Sequence, residues 1–310
     1  MQISIIIPVF NEEENIIPLY IDIIKNIKNK YTYEIIFIDD GSSDNTLTHI
    51  KTLIKKDKNV KIISFRRNFG KAQGLNAGFA QAQGDIVFTM DGDMQDNPIE
   101  IPNFIKEINN GFDLVSGWKF DRKDPIGKRA PSKLFNKLTR FITGVHINDF
   151  NCGFKAYKKE VVKQLNLYGE LHRYVPALAS WKGFKVGEIK VEHRERLHGK
   201  SKYGWERLVK GVLDLLTIKY LGSYRNRPLH FFGIIGIMFS SLGILLGLYL
   251  TILWFQGLGI GHRPLLLLSI LLVVLGIQFL SIGLIAELIN YNKHNENITE
   301  NKMKYTSYKK

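Results

Sequence analysis

Two stretches of this chain carry no charged residue at all: Phe231 to Ile260 and Pro264 to Ala286. Each is longer than the roughly 20 apolar residues that cross a hydrocarbon core as a helix. Two helices must therefore lie in a bilayer or both must be buried inside protein, and their length favours the bilayer. They come too late to be a secretory leader, and the N-terminus opens on a strand pattern, "ISIIIPVF". The expected hairpin occupies 229–289, with spans at about 231–256 and 265–288.

The formal charge of +14 is concentrated around this hairpin. Lys200, Lys202, Arg207, Lys210, Lys219, Arg225 and Arg227 precede the first span, in a basic juxtamembrane segment at 200–228. The tail at 290–310 carries Lys293, Lys302, Lys304, Lys309 and Lys310. Basic flanks on both outer ends of a hairpin are expected in the cytoplasm, which puts the turn around "GLGIGHRP" on the other side. Each such residue near an anionic surface adds about 1 kcal/mol of attraction. A nucleic-acid partner is not expected, because that would need basic residues interleaved with exposed aromatics away from the membrane. The single cysteine, Cys152, excludes an intramolecular disulfide and reads as a small packed residue in a reducing compartment.

Residues 1–118 alternate strand and helix signals. Strands are expected at "ISIIIPV", "YEIIFIDD", "VKIISF", "DIVFTM" and "DLVSGW". Helices are expected at about Asn15–Lys28, Asn45–Lys56 (capped by Ser42 or Ser43), the small-residue run "KAQGLNAGFAQAQ", and Glu100–Asn109. Alternation with near-continuous apolar strands implies an α/β fold with a mostly parallel sheet covered on both faces. Ligands of such sheets bind beyond the carboxyl ends of the strands. That rule gathers "PVFNEEE", "DDGSSDNT", "RRNFGK" and "DGDMQD" into one polar crevice. The first loop is not a G-x-G-x-x-G turn and the chain has no Walker A loop, so a nicotinamide or P-loop ligand is excluded.

The stretch "FTMDGDMQDNP" ends an apolar strand in Asp91, Asp93, Gln95 and Asp96. Unpaired, these groups repel one another, so they are either solvated or placed to receive a cation. The loop holds no His or Cys, and hard oxygen donors suit Mg2+ or Mn2+, which complete their shells with water and substrate phosphates. A lone D-x-D is a common solvated turn; beside the other acid-rich loops it gains weight.

Together "IIIPVFNEEENI", "EIIFIDDGSSDNT", "NFGKAQGLNAGF", "GDIVFTMDGDMQDNP" and "DFNCGFKAY" resemble the family 2 glycosyltransferases of GT-A fold. The resemblance is to their polyprenyl-phosphate group, which includes dolichyl-phosphate mannose synthases and bacterial bactoprenol glucosyltransferases, and it covers roughly the first 228 residues. It implies a GT-A catalytic domain over 1–199, with amphipathic juxtamembrane helices and the hairpin after it. Pro8, Phe10 and Glu12 would border the base and ribose; related enzymes often carry Tyr where Phe10 stands. Asp39 or Asp40 would accept a hydrogen from the base ring. Lys71 would approach the diphosphate, and Asp91, Asp93 and Gln95 would hold the bridging metal.

For the acceptor, the basic run from Lys119 to Arg140, with Leu134, Phe135, Leu138, Phe141 and Ile142 at helical spacing, reads as a helix on a membrane surface. "RLHGKSK" fits the family pattern R-x-x-G-x-S-K. By resemblance Arg129, Ser132, Arg196, Ser201 and Lys202 would stand at or near a lipid phosphate, which guanidinium groups match by paired hydrogen bonds. Asp149 falls where relatives place an acid near the reaction centre. A phosphomonoester is largely deprotonated already, with a second pKa near 6, so Asp149 is expected to orient substrate, with a base role open. Asp93, Asp149 and Arg196 are thus the catalytic candidates.

The implied reaction is inverting transfer of one hexose, with glucose from UDP-glucose preferred, to undecaprenyl phosphate at the inner (plasma) membrane. GDP-mannose and UDP-N-acetylglucosamine are alternative donors, and a homo-oligomer is among the admissible states. A processive polysaccharide synthase is disfavoured because Q-x-x-R-W is absent. A non-catalytic scaffold is disfavoured because the aspartates are present.

The topology is testable in intact cells lacking Cys152. Gly259→Cys should react with an impermeant thiol reagent and Ser307→Cys should not. Labelling of Ser307→Cys from outside would rule out the hairpin.

Overall fold

The computed structural model describes residues 1–120, 126–192, 194, 214–220, 222, 224, 227–260 and 264–296, and the side chains of these except 126–134 and 292–296. The chain forms two compact units, Met1–Ile218 and Lys219–Lys310.

In the first unit the element order is β1 (Gln2–Val9), α1 (Glu13–Ile27), β2 (Thr32–Asp39), α2 (Thr46–Lys56), β3 (Val60–Ser64), α3 (Lys71–Gln81) and β4 (Ile86–Thr89). There follow a 3-10 turn at Pro98–Glu100, α4 (Ile101–Asn109), β5 (Leu114–Lys119) and α5 (Ile126–Thr143). The unit continues with β6 (Lys155–Lys158), α6 (Lys159–Gln164), a 3-10 turn at Leu171–Arg173, α7 (Val175–Trp181) and β7 (Val186–Val191). The sheet order is β3-β2-β1-β4-β6-β5-β7. β1 pairs in parallel with β2 and β4, β2 with β3, and β5 with β7; β6 runs antiparallel to both β4 and β5.

The period of two along β1 explains the layers. Ile3, Ile5, Ile7 and Val9 join one core with Ile16, Leu19 and Ile23 of α1, Ile50 of α2 and Phe104 of α4. Ile6 points the other way, against Gly78 of α3, where an added Cβ would stand 2.5 Å from its Cγ2. Both faces are therefore buried, and the small residues of α3 set how closely it approaches the sheet.

Five strands and four helices fall where the sequence places them, within a residue or two, as element ends usually do. The antiparallel β6 has no sequence expectation, since "KAYK" is short and ends in lysines; β7 likewise. The proposed Ser42 or Ser43 cap of α2 is a correction. Asn45 occupies that position without a side-chain bond, while Ser42 Oγ accepts from the Asn11 N–H at 3.0 Å. Lys119 is a second correction: it ends β5 with its side chain largely enclosed, not on a membrane face.

Glu34 is a buried charge within the sheet, 3% exposed. It accepts from Ser4 Oγ at 2.5 Å, Lys61 Nζ at 2.6 Å and the Gln83 N–H at 2.6 Å, tying β1, β2, β3 and the turn before β4 together. Burial alone would raise its carboxyl, but Lys61, Ser4 and the Gln83 N–H hold it below its ordinary value.

In the second unit, α8 (Pro228–Phe255) and α9 (Pro264–Glu296) contain the expected spans and are long and apolar enough to cross a membrane. They pack on glycines: a Cβ at Gly236 would meet Gly276 O at 2.7 Å, and one at Gly243 would meet Ser269 O at 2.7 Å. Without a hydrophobic drive in lipid, such close backbone approach is what joins helices. Ile234, Ile237, Leu245 and Leu267 on the outer surface are exposed, as lipid-facing residues must be. Glu287 of α9 accepts from the Leu229 N–H at 3.1 Å.

The depressed carboxyl of Glu34 fixes a pH dependence. Its stabilising contribution is complete above the ordinary carboxylate range and is lost as pH falls through the folded value. The Lys61 arm is screened by solvent, so the buried donors carry most of it. Glu34→Gln should cost about 1–3 kcal/mol near pH 7 and much less at about pH 2, well below the ordinary glutamate value, read by thermal unfolding in detergent. An equal loss at both pH values would refute this account.

Candidate active site

The carboxyl ends of β1 to β4 carry the loops named from sequence, and each is stitched to a neighbour. After β1, which includes Pro8, the half-buried Phe10 leads to Asn11 at φ 55°. Asn11 Oδ1 accepts from the Ser43 N–H at 2.8 Å, and the Glu12 N–H donates to Thr46 Oγ1 at 2.9 Å. The Glu12 carboxylate accepts from Asn15 Nδ2 at 2.6 Å.

Asp39 and Asp40 are both buried at the end of β2. Asp39 accepts from the Ser42 N–H at 3.0 Å and Ser64 Oγ at 2.8 Å. Asp40 accepts from the Phe69 N–H at 2.7 Å with one oxygen and from the Gly70 N–H at 2.9 Å with the other. Gly70, at φ 90°, is the N-cap of α3, so Asp40 fixes the turn that launches Lys71. This supporting role was not visible in the Asp-Asp pair itself.

Lys71, at the first position of α3, forms an ion pair with Asp91. The Asp91 N–H in turn donates to Asp96 Oδ2 at 3.0 Å, and Lys119 Nζ lies 3.4 Å from Asp96 Oδ1. Asp93 is buried and its Oδ1 accepts from the Gln95 N–H at 3.2 Å; Met94 between them takes φ 62°. The loop is therefore a tight reversal with carboxylates folded inward and two ammonium groups against them. Burial alone would raise Asp91, yet Lys71 and Lys119 hold it well below the usual carboxylate range. Asp96 is pushed up by burial, against Lys119 and reinforced by Asp91.

Loop 149–153 closes over this cluster. Gly153 lies against the Asp91 carboxylate, and a Cβ there would overlap it. Asp149 is buried, with Oδ1 accepting from the Asn151 N–H at 3.1 Å. Lys155, 3% exposed, donates to the carbonyls of Cys152 and Phe150 and so holds this loop from beneath. Burial and Lys71 push its ammonium below the ordinary lysine value, against the pull of Asp149 and Asp91. Cys152 is buried as expected, its thiol pushed up to about 12 by burial. His172 is also beside the cluster, driven down to about 2 by burial and by Lys71, and is thus neutral. Gly153 and Lys155 fall within "DFNCGFKAY" but had no role assigned there, and neither Lys119 nor His172 is signalled by a short motif, because each arrives from a distant strand or turn.

Among the described residues, no three His, Cys, Asp or Glu side chains converge as a closed metal cage. Mg2+ and Mn2+ need no such cage when one or two carboxylates and substrate phosphates complete the shell. Asp91, with 29% of its side chain accessible, Asp93 and Gln95 all carry oxygen donors, the donor chemistry that suits a hard divalent ion.

Of the acceptor candidates, Arg129 and Ser132 fall within α5, but their side chains lie outside the described residues. Arg196, Ser201 and Lys202 also lie outside them. Beyond residue 134, α5 buries Asn136, Thr139 and Thr143 and exposes Leu138 and Phe141, the latter at 87%. Its inner, polar face touches the Asp149 loop: Asn136 Oδ1 accepts from the Phe150 N–H at 3.3 Å, and Arg140 donates to Asn148 Oδ1 at 2.9 Å. The outer face presents Lys137 beside Leu138 and Phe141, so it is mixed basic and apolar.

The family model described as glycosyl transferase family 2 matches residues 4–165. The chain is similar over 308 residues, at 35% identity, to a dodecaprenyl-phosphate galacturonate synthase from Rhizobium johnstonii, covering 97% of this chain and 91% of the relative. It is 38% identical over 294 residues to an undecaprenyl-phosphate 4-deoxy-4-formamido-L-arabinose transferase from Shewanella sediminis, covering 93% and 86%. Among solved structures, it shares its fold with glucosyl-3-phosphoglycerate synthase from Mycobacterium tuberculosis, in complex with Mn2+, uridine diphosphate and glucosyl-3-phosphoglycerate. The TM-score is 0.54 at 19% identity, over 71% of this chain and 78% of the other. A mannosyltransferase from Pyrobaculum calidifontis, in complex with GDP-Man and Mn2+, gives 0.53 at 18% identity, over 72% and 64%. The acid loop, the mixed sheet that carries it and the near full-length relatives agree: this chain is a glycosyltransferase and belongs to glycosyl transferase family 2, in the group of the prenyl-phosphate enzymes named above.

Proposed function

We propose that this enzyme transfers one glycosyl group from a nucleotide sugar to a polyprenyl phosphate at a membrane surface. The observation that carries the reading is the Asp91–Lys71 pair at the crevice edge of the sheet, in a chain that also has two span-length apolar helices. Both relatives described above are named for a prenyl phosphate, and both extend over the hairpin as well as the sheet. The catalytic unit and the tail lie on the cytoplasmic side of the inner membrane, following the basic flanks.

The donor sits over β1 to β4. Phe10 and Pro8 border the base, Asp39 and Asp40 accept from it with whatever lone pairs their loop bonds leave, and Lys71 meets the diphosphate. Asp91, Asp93 and Gln95 would hold a divalent Mg2+ or Mn2+, which when bound would supply charge neutralisation to the departing diphosphate. Lys71 then exchanges part of its contact with Asp91 for a phosphate oxygen, which keeps it on a negative partner throughout.

The acceptor phosphate, placed by Arg129, Ser132, Arg196, Ser201 and Lys202, attacks the anomeric carbon in line, and the bond to the nucleoside diphosphate breaks with inversion. Its oxygen is already ionised, so no strong base is needed. Asp149, rigid in its buried loop, orients substrate. Positioning and charge neutralisation supply the rate. The sugar preferred from sequence was glucose; the relatives' names specify galacturonate and 4-deoxy-4-formamido-L-arabinose, so a uronate or a modified amino-pentose has the stronger support.

The test is to incubate purified full-length protein with undecaprenyl phosphate, Mg2+ or Mn2+, and a panel of labelled nucleotide sugars. The panel includes glucose, mannose, N-acetylglucosamine, galacturonate and 4-deoxy-4-formamido-L-arabinose. Lipid-extractable label from one donor is expected, reduced by about 100-fold or more in Asp91→Asn plus Asp93→Asn. Label from none of them, or full turnover in the double variant, would refute the reading. With the donor known, Arg196→Ala should cripple transfer while leaving nucleoside-diphosphate binding nearly intact, because charged hydrogen bonds of about 1.5–3 kcal/mol each are lost at the lipid phosphate alone. Abolished nucleotide binding in folded Arg196→Ala would contradict that placement.

A further inference from the structure

Arg194 follows β7 and carries none of the roles assigned above. Its surroundings are nevertheless specific. Its backbone N–H donates to the carbonyl of Gln95 at 3.1 Å. One arm of its guanidinium donates to Asn97 Oδ1 at 2.6 Å and the other to Asp22 Oδ2 of α1 at 2.6 Å. Asn97 is buried, and its Nδ2 donates to Glu192 Oε2 at 2.7 Å while its Oδ1 also accepts from the Ile99 N–H at 3.2 Å. Two residues of the chain end after β7 thus grip the last residues of the acid loop, and α1 braces the grip.

The acid loop needs such a brace. Asp91, Asp93 and Asp96 crowd like charges into six residues, Met94 is in the left-handed region, and the N-terminal part of the loop is tied down by Lys71. The far part, from Gln95 to Asn97, is where Arg194 acts. A planar fork reaching two acceptors at fixed geometry is what arginine offers and lysine does not.

We propose that Arg194 is a positioning residue for the donor: with Asn97 and Asp22 it splints the acid loop in its nucleotide-binding geometry. The inference rests on the reading of Asp91, Asp93 and Gln95 as part of the nucleotide-sugar site. Without the splint the loop spends part of its time in geometries that cannot bind. The apparent affinity for nucleotide falls by that fraction, while a saturated enzyme turns over as before.

The experiment measures both KM values and kcat for full-length wild type, Arg194→Ala, Arg194→Lys, Asn97→Ala and the Arg194→Ala/Asn97→Ala pair. It also measures binding of UDP and of GDP, each with Mn2+, by calorimetry. The expected result is a roughly tenfold higher KM for the nucleotide sugar in Arg194→Ala, with kcat and the KM for undecaprenyl phosphate changed less than about threefold. Arg194→Lys should resemble Arg194→Ala, and the double variant should raise KM by less than the product of the two single effects, because both substitutions remove the Arg194–Asn97 bond. A merely structural arginine would lower the unfolding temperature and leave the KM ratio untouched; that outcome overturns the proposal. A rise in the lipid KM alone also overturns it, assigning Arg194 to the acceptor. If wild type binds neither UDP nor GDP, the donor-site reading itself falls. If it binds one of them and the variants bind it equally well, the splint alone is refuted.

Discussion

The meeting of Lys71 with Asp91 is the contact on which the rest of the catalytic unit turns. A strand end loaded with carboxylates is unstable unless cations answer it, and a lone lysine near a sheet edge is equally idle unless something holds it. Here the two come from different βα units. Asp40 fixes the turn before α3 through the Phe69 and Gly70 N–H groups. β1 lies between β2 and β4 and sets the spacing of the two loops. Gly153 then lets a third loop lie directly on the Asp91 carboxylate. Each of these features arranges that one encounter between opposite charges, which stays partly open to solvent, with 32% of the Lys71 and 29% of the Asp91 side chain accessible.

Compensation is graded across the site. Asp91 is held ionised, whereas Asp96, deeper and beside Asp91, is pushed toward its neutral form. Lys119 is kept protonated despite burial, because Asp96, Asp91 and Asp93 surround it. Lys155, buried, and His172, half-buried, are moved the other way. The crevice therefore presents a definite pattern of fixed charges, which on the proposed reading is what an incoming diphosphate meets. Preorganisation of this kind is where enzymes obtain much of their electrostatic effect.

The parts legible in the sequence were those written in local patterns. Near-continuous apolar runs gave β1 to β5, small residues gave the close approach of α3, and D-x-D after a strand pointed to the candidate site. The hairpin followed from uncharged length alone. What stayed hidden depended on chain segments far apart. β6 is four residues with a lysine at each end, and becomes a strand because β4 and β5 offer it unpaired edges. Lys119 looked like the first of a run of membrane-facing cations. Its position at the end of β5, opposite Asp96, makes it part of the acid cluster instead, since an enclosed lysine needs a carboxylate more than a lipid surface. Arg194 and Asn97 are 97 residues apart in sequence and no motif links them.

The bond from Glu287 to the start of α8 bears on how the hairpin enters the bilayer. The first turn of any helix leaves N–H groups without intrahelical acceptors, and in hydrocarbon each costs several kcal/mol. α8 begins with Pro228, which has no N–H to lose, and its next residue, Leu229, finds its acceptor on α9. The first helix is thus finished by a side chain that the ribosome adds 58 residues later. The first turn of α8 is therefore completed only when α9 lies beside it.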